Sequence, residues 1–113
     1  MRIAIVGSRD FSRLDKVGDF VRDLPRDTVI VSGGARGVDS AAAAAARARG
    51  LEVVVYFPDW KQFGQSAGFL RNETIVQDSD EVVAFWNGRS NGTRHSIGLA
   101  RRNGKRVRIF DEK

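Results

Sequence analysis

The stretch Val29-Ile-Val-Ser-Gly-Gly-Ala-Arg-Gly-Val-Asp-Ser40 constrains the fold of this chain more than any other. An apolar, β-branched run ends at Ser32, three glycines fall within the next five residues, and six alanines run from Ala41 to Ala46. That order reads as a strand, a glycine-rich turn and a helix N-terminus. Glycine accepts a positive φ and lets a ligand come close to the backbone. A helix N-terminus offers unpaired N–H groups and a partial positive charge, which suit an anion. The stretch therefore predicts either a phosphate or carboxylate cradle, or a tight strand-to-helix turn without a ligand.

The same alternation continues along the chain. Arg2 to Val6 is β-branched and stops at Gly7, a first strand. Ser12 is a candidate N-cap for a helix whose apolar face is Leu14, Val17, Val21 and Leu24, widened by Phe20 and stopped by Pro25. Thr28 to Val31 is the second strand. The alanine helix runs from about Ser40 to Arg49, capped by Asp39 or Ser40, with Gly50 as its C′ residue. Glu52 to Phe57 is a third strand, apolar enough after Glu52 to be covered on both faces. Pro58 to Gly64 is a loop with two aromatics. Ser66 opens a helix that turns Phe69, Leu70, Ile75 and Val76 inward and ends near Asp78. Glu81 to Phe85 is the fourth strand, Trp86 to Gly92 a second glycine-bearing turn, Thr93 to Asn103 the last helix and Arg106 to Phe110 the fifth strand.

Strict β-α alternation implies parallel strands, right-handed crossovers and helices on both faces. We read residues 1–113 as a single Rossmann-like three-layer α/β domain with a five-stranded parallel sheet in the order 3-2-1-4-5. In such a sheet strands one and four flank the switch point and strand two lies next to it. The polar turns after strands one, two and four then converge on one site at the carboxyl ends of the strands.

Composition narrows the function classes. The chain has 113 residues, 42% of them hydrophobic, and no cysteine, so disulfides and thiolate metal sites are excluded. No apolar run approaches the ~20 residues of a membrane span, and the N-terminus lacks the pattern of a signal peptide. A cytoplasmic protein with no membrane partner is expected. The formal charge is +5, from 19 Lys and Arg against 14 Asp and Glu. Arg89, Arg94, Arg101, Arg102, Lys105, Arg106 and Arg108 gather late in the chain. They form either a solvated surface or a face for nucleic acid.

Gly33-Gly-Ala-Arg-Gly37 has neither the spacing of the dinucleotide fingerprint nor the Gly-Lys-Ser/Thr of a Walker loop. Arg36 is either a bidentate phosphate ligand or an exposed turn arginine. Thr93 either gives its hydroxyl to a phosphate or caps its helix. Arg71 and Asn72 straddle the edge of an apolar stripe and point either into a site or along an exposed flank. His95 is the only histidine, which disfavours a Ser-His-Asp triad or a multi-histidine metal site. Asp10, Asp39, Asp59 and Glu73 are candidate acids or bases without a recognisable dyad. No metal or redox cofactor is expected.

Ile5-Val-Gly-Ser-Arg-Asp10, Ser32-Gly-Gly-Ala-Arg-Gly-Val-Asp39, Asp59-Trp60, Ala67-Gly-Phe-Leu-Arg-Asn72 and Asn91-Gly-Thr93 together resemble the SLOG superfamily. The similarity is to its YspA, cpYpsA-related group and covers nearly the whole chain. The Ser-Gly-Gly-Ala-Arg-Gly-x-Asp segment and a later Arg-Asn also resemble the DNA-processing protein DprA. The resemblance implies binding of a nucleotide or nucleotide derivative of the NAD, ADP-ribose or nucleoside phosphate type. The implied site is Gly7, Ser8, Arg9, Ser32, Gly33, Gly34, Arg36, Gly37, Asp39, Arg71, Asn72, Asn91, Gly92 and Thr93. Asp39 would contact a ribose hydroxyl or cap its helix, and Trp60 would stack on a base or pack its loop. Two other activities occur among the related proteins: N-glycosidic hydrolysis of nucleoside monophosphates by LOG-type enzymes, and single-stranded DNA binding by DprA. The LOG-type pattern Pro-Gly-Gly-x-Gly-Thr-x-x-Glu ends here in Ser96, and a hydroxyl cannot replace a carboxylate base. The histidine that DprA carries after its Gly-x-Asp is also missing. A binding or sensing protein is therefore the expectation ahead of a hydrolase or a DNA-binding module. By analogy with relatives, a homo-oligomer is expected.

Overall fold

The computed structural model describes all 113 residues. Five strands run β1 Arg2–Gly7, β2 Val29–Ser32, β3 Glu52–Val55, β4 Glu81–Phe85 and β5 Arg106–Phe110. The helices are α1 Leu14–Arg22, α2 Val38–Ala48, α3 Trp60–Phe63, α4 Ala67–Gln77 and α5 Asn91–Arg102. All strand pairs are parallel, in the order β3-β2-β1-β4-β5. This is the Rossmann-like topology expected from the alternation.

Side-chain alternation along β1 builds the two core layers. Ile3 and Ile5 face one side with Val17, Val21, Ile30, Ala42 and Phe85. Ala4 and Val6 face the other with Val31, Ile75, Val76, Ala84 and Ile97. The first layer is covered by α1 and α2, the second by α4 and α5. Right-handed crossovers dictate this division. The chain moves outward from β1 to β2 to β3, then crosses back past β1 to β4, so the later helices land on the opposite face. The reversal lies between β1 and β4, where Gly7 pairs with Phe85 at the carboxyl ends of the strands.

Four local expectations are corrected. β3 stops at Val55, and Val53, Val54 and Val55 are only half-buried, because an edge strand is not covered as a central one is. The loop after Pro58 contains α3, whose Asp59 carboxylate accepts the Gln62 N–H at 3.1 Å, and a 3₁₀ turn over Gly64–Ser66 follows. In α4, Phe69 and Leu70 are exposed by 52% and 38%, while Ala67, Asn72, Ile75 and Val76 are buried. The inward stripe thus includes an asparagine, which apolar periodicity alone passes over. Helix α1 begins at Leu14 with Arg13 at its N-cap, and Ser12 makes no cap hydrogen bond.

Candidate functional site

The turns after β1, β2 and β4 meet in one cleft of about 630 Å³ at the switch point. That volume lies within the ~300–1,000 Å³ common for small-molecule sites. Apart from Val6, Ala35 and Ile75 its walls are polar, charged or glycine.

The β1 turn and the β4 turn are tied together by Asn87. Its backbone N–H donates to the Ser8 hydroxyl at 3.2 Å, and its side-chain amide donates to Asp10 Oδ1 at 2.9 Å. Asn87 Oδ1 accepts the N–H groups of Arg89 and Ser90 at 2.8 and 3.0 Å, an Asx turn that folds the loop back. Ser90 then caps α5, accepting the Thr93 N–H at 3.4 Å, and its hydroxyl also meets Thr93 Oγ1 at 3.1 Å. The helix therefore starts at Asn91 rather than Thr93. Its N-terminus, with Gly92 and Thr93, borders the cleft and brings a partial positive charge to it.

The opening stretch of the sequence forms the opposite wall. Gly37 sits at the α2 N-cap with φ 79°, where a Cβ would run into the backbone of Arg9. Only glycine fits both the left-handed conformation and that approach. Asp39 and Ser40 do not cap the helix in the usual sense. The Asp39 carboxylate reaches back to accept the Ala35 N–H at 3.1 Å, and the Ser40 hydroxyl donates to the Ala35 carbonyl at 2.9 Å. Together they clamp the turn. Asp39 is only 7% exposed, and burial pushes its carboxyl up to about 6 against the opposing pull of the Ala35 N–H and of Arg71.

Arg71 arrives from α4. Its Nη1 donates to the Gly33 carbonyl at 2.5 Å and its Nε to Asn72 Oδ1 at 3.1 Å. A Cβ on Gly33 would sit 2.6 Å from Arg71 Nη1 and 3.0 Å from Asp39 Oδ2, so this glycine is the space through which the two charged groups approach each other. Burial lowers the Arg71 pKa below its ordinary value, Asp39 partly offsets this, and Arg9 adds to the lowering. Asn72 continues the chain, its amide lying 3.2 Å from His95 Nδ1 on α5. His95, Asn72, Arg71 and Gly33 thus connect α5, α4 and the β2 turn in one line.

Of the fourteen residues singled out from the sequence, Gly7, Arg9, Gly33, Asp39, Arg71, Asn72, Gly92 and Thr93 border the cleft. Ser8 is fully buried beneath it, holding Asn87 through its hydroxyl. Ser32 and Gly34 face a second recess on the far side of the turn. Arg36 and Asn91 are exposed outside the cleft, and Gly37 supports it from behind. Trp60 is 55% exposed, lies beside Gly68 and does not reach the cleft. Asp10, Asn87, Arg89, Ser90 and Ser96 border it without having been among those fourteen. The Asn87-Gly-Arg-Ser90 sequence carried an Asx-turn and N-cap signal that could have found three of them, Asn87, Arg89 and Ser90.

Sheet order and crossover pattern define a Rossmann-like α/β fold with a polar cleft at its switch point. A family model described as YspA, cpYpsA-related SLOG family matches residues 1–63. The Gene 61 protein of Mycobacterium phage D29 is 38% identical over 122 residues, covering 99% of this chain and 98% of its own. An uncharacterized protein of Archaeoglobus fulgidus is 28% identical over 121 residues, covering 95% of this chain and 78% of its own. The chain belongs to the YspA, cpYpsA-related SLOG family. Among solved structures it is similar to DNA processing protein A of Streptococcus pneumoniae, with a TM-score of 0.84 and 24% identity over 96% of this chain. DNA processing protein A of Helicobacter pylori, solved for its single-stranded DNA binding mode, gives 0.81 and 22% over the same share. The chain spans 49% and 64% of those two structures. No helix is long and apolar enough to cross a membrane.

Proposed function

We propose that this protein binds a nucleotide or nucleotide-derived small molecule in the cleft at the β1/β4 switch point, without catalysing its breakdown. Family and fold support a nucleotide- or nucleic-acid-binding role. The observation that carries the narrower reading is the charge of the cleft. Arg9, Arg71 and Arg89 and the N-terminus of α5 surround it, and neither Arg9 nor Arg89 forms a salt bridge. Two unpaired guanidinium groups beside a helix N-terminus suit phosphate oxygens. Asp39 supplies an acceptor for a sugar hydroxyl. Ser96 stands in the cleft wall as a nearly buried hydroxyl, unable to serve as a carboxylate base.

A thermal-shift screen of nucleotides and ADP-ribose derivatives, with product analysis on every hit, tests this. Arg9→Ala and Arg89→Ala remove exposed side chains and should leave the fold intact. Each should weaken a phosphate-bearing hit by about tenfold, the scale of one charge-assisted hydrogen bond. Unchanged stabilisation in both variants would sink the reading, and release of free base would make the protein a glycosidase instead.

The second reading is single-stranded nucleic acid binding, favoured by the fold shared with the Helicobacter pylori protein. It requires steeply salt-dependent affinity for oligonucleotides.

A further inference from the structure

Asp39 borders two cavities. On the other side of the Gly33–Ala35 turn, a recess of about 250 Å³ opens between α2 and the end of β3. This is smaller than the ~300 Å³ lower bound for whole-ligand pockets, so it suits one part of a ligand. Ala43 and Ala44 make a low wall on α2, Val55 and Phe57 an apolar wall, and Arg47 enters from the helix. At 72% exposure Phe57 is the most exposed large hydrophobic side chain in the protein. Its ring lies against the backbone of the Gly33–Ala35 turn. Gly34 has φ 72°, and a Cβ there would sit 2.6 Å from the Phe57 ring and 2.9 Å from Val55. The turn has given up a side chain where the ring rests.

An aromatic ring resting on the turn with a solvent-facing surface, low alanine walls and a guanidinium without a salt-bridge partner together suit a planar heteroaromatic group. Such a group stacks on phenylalanine and on arginine alike. Asp39 gives the two cavities a common border: a carboxylate 7% exposed that touches both. We infer that the recess between α2 and the end of β3 is the base subsite of this protein, stacking a nucleobase on Phe57 while its phosphates occupy the main cleft. This rests on the nucleotide-binding reading above and adds where the base lies and which side chain selects for it. The connecting ribose crosses the Gly33–Ala35 turn beside Asp39.

Titration calorimetry on the full chain with ribose 5-phosphate, AMP and ADP-ribose tests the inference, using wild type, Phe57→Ala and Phe57→Trp. The wild type should bind AMP or ADP-ribose at least about tenfold more tightly than ribose 5-phosphate, as expected for one stacked base. Phe57→Ala should erase that margin and leave ribose 5-phosphate unaffected, and Phe57→Trp should keep it. Equal losses for all three ligands in Phe57→Ala, or no loss for any, overturn the subsite. Binding of ribose 5-phosphate by the wild type with no margin for the base overturns it and leaves the phosphate cleft standing. Binding of none of the three overturns the subsite and the nucleotide reading together. If a thymidine oligomer depends on Phe57 while the small nucleotides do not, the occupant is nucleic acid and this inference is wrong.

Discussion

At Asp39 a single carboxyl clamps a turn, borders two cavities and remains buried, and these demands conflict electrostatically. In the unfolded chain it ionises near its ordinary value of 3.8, whereas in the folded protein burial holds the proton on up to about 6. Between those values the native state binds more protons than the unfolded state, so stability falls as pH rises through the window. The displacement corresponds to about 3 kcal/mol once both states are ionised. Asp39→Asn keeps an oxygen to accept the Ala35 N–H and removes the titration. Its stability relative to wild type should rise between pH 4 and pH 7, by about 2–3 kcal/mol, in urea titrations across that range. A flat difference would show that Asp39 does not titrate there. Gly37 supports a second expectation. Gly37→Ala forces a Cβ into the Arg9 backbone at φ 79° and should cost at least 1–2 kcal/mol by chemical denaturation. Full stability in that variant would mean the two turns can move apart. The sequence made Gly37 conspicuous. It did not show that the second demand on this position comes from Arg9, a residue distant in the chain.

Among the elements, the strand–helix alternation was legible because period-two and period-3.6 patterns survive wherever burial is apolar, and the sheet order followed from the Rossmann-like fold class that the alternation implies. They fail on α4, where the buried position is Asn72 and the apolar Phe69 and Leu70 face out. The reason lies in the relay from His95 through Asn72 to Arg71, which needs a polar group on the inner face. Burial and Arg102 lower the His95 pKa, and Glu73 partly counters them. Neutral His95 accepts the Asn72 amide at Nδ1, the donor arrangement the relay requires, whereas a protonated Nδ1 would place two donors against each other. An NMR titration of the imidazole should therefore give a midpoint below the ordinary 6.5. A midpoint at or above that value would contradict the relay. The opposite face of the sheet depends on aromatic packing. Phe85 is fully buried, stacks on Phe110 at 5.0 Å and meets Phe11 and Phe20 edge-on. Phe85→Ala should cost about 3–5 kcal/mol in equilibrium unfolding. A loss under 1 kcal/mol would mean that the neighbouring rings close the gap.

Across the whole molecule, the late arginines are divided between opposite poles. Read along the chain they form one cluster, because sequence distance hides which end of a helix faces the site. Arg89 borders the cleft, and Arg94 lies over Trp86 with 5.4 Å to the ring centre. Arg101 and Arg102 come at the far end of α5, roughly 16 Å away along the helix axis, and Arg106 opens β5 at that same pole. Arg108 is committed elsewhere, its guanidinium 2.6 Å from the buried Glu81 carboxylate. A ligand the size of a nucleotide in the cleft cannot touch the distal group, but a long single strand could reach both. The triple variant Arg101→Ala, Arg102→Ala, Arg106→Ala separates the two cases. Nucleotide affinity should stay within about twofold of wild type. If oligonucleotides bind only through the cleft, the slope of log affinity against log salt should also be unchanged. A strand that wraps to the far pole would lose three phosphate contacts and flatten that slope by about 2, at ~0.7 per contact for single strands. A flattened slope with intact nucleotide binding would make the distal arginines part of a nucleic-acid path. A loss of nucleotide affinity would place the phosphate site somewhere other than the β1/β4 switch point.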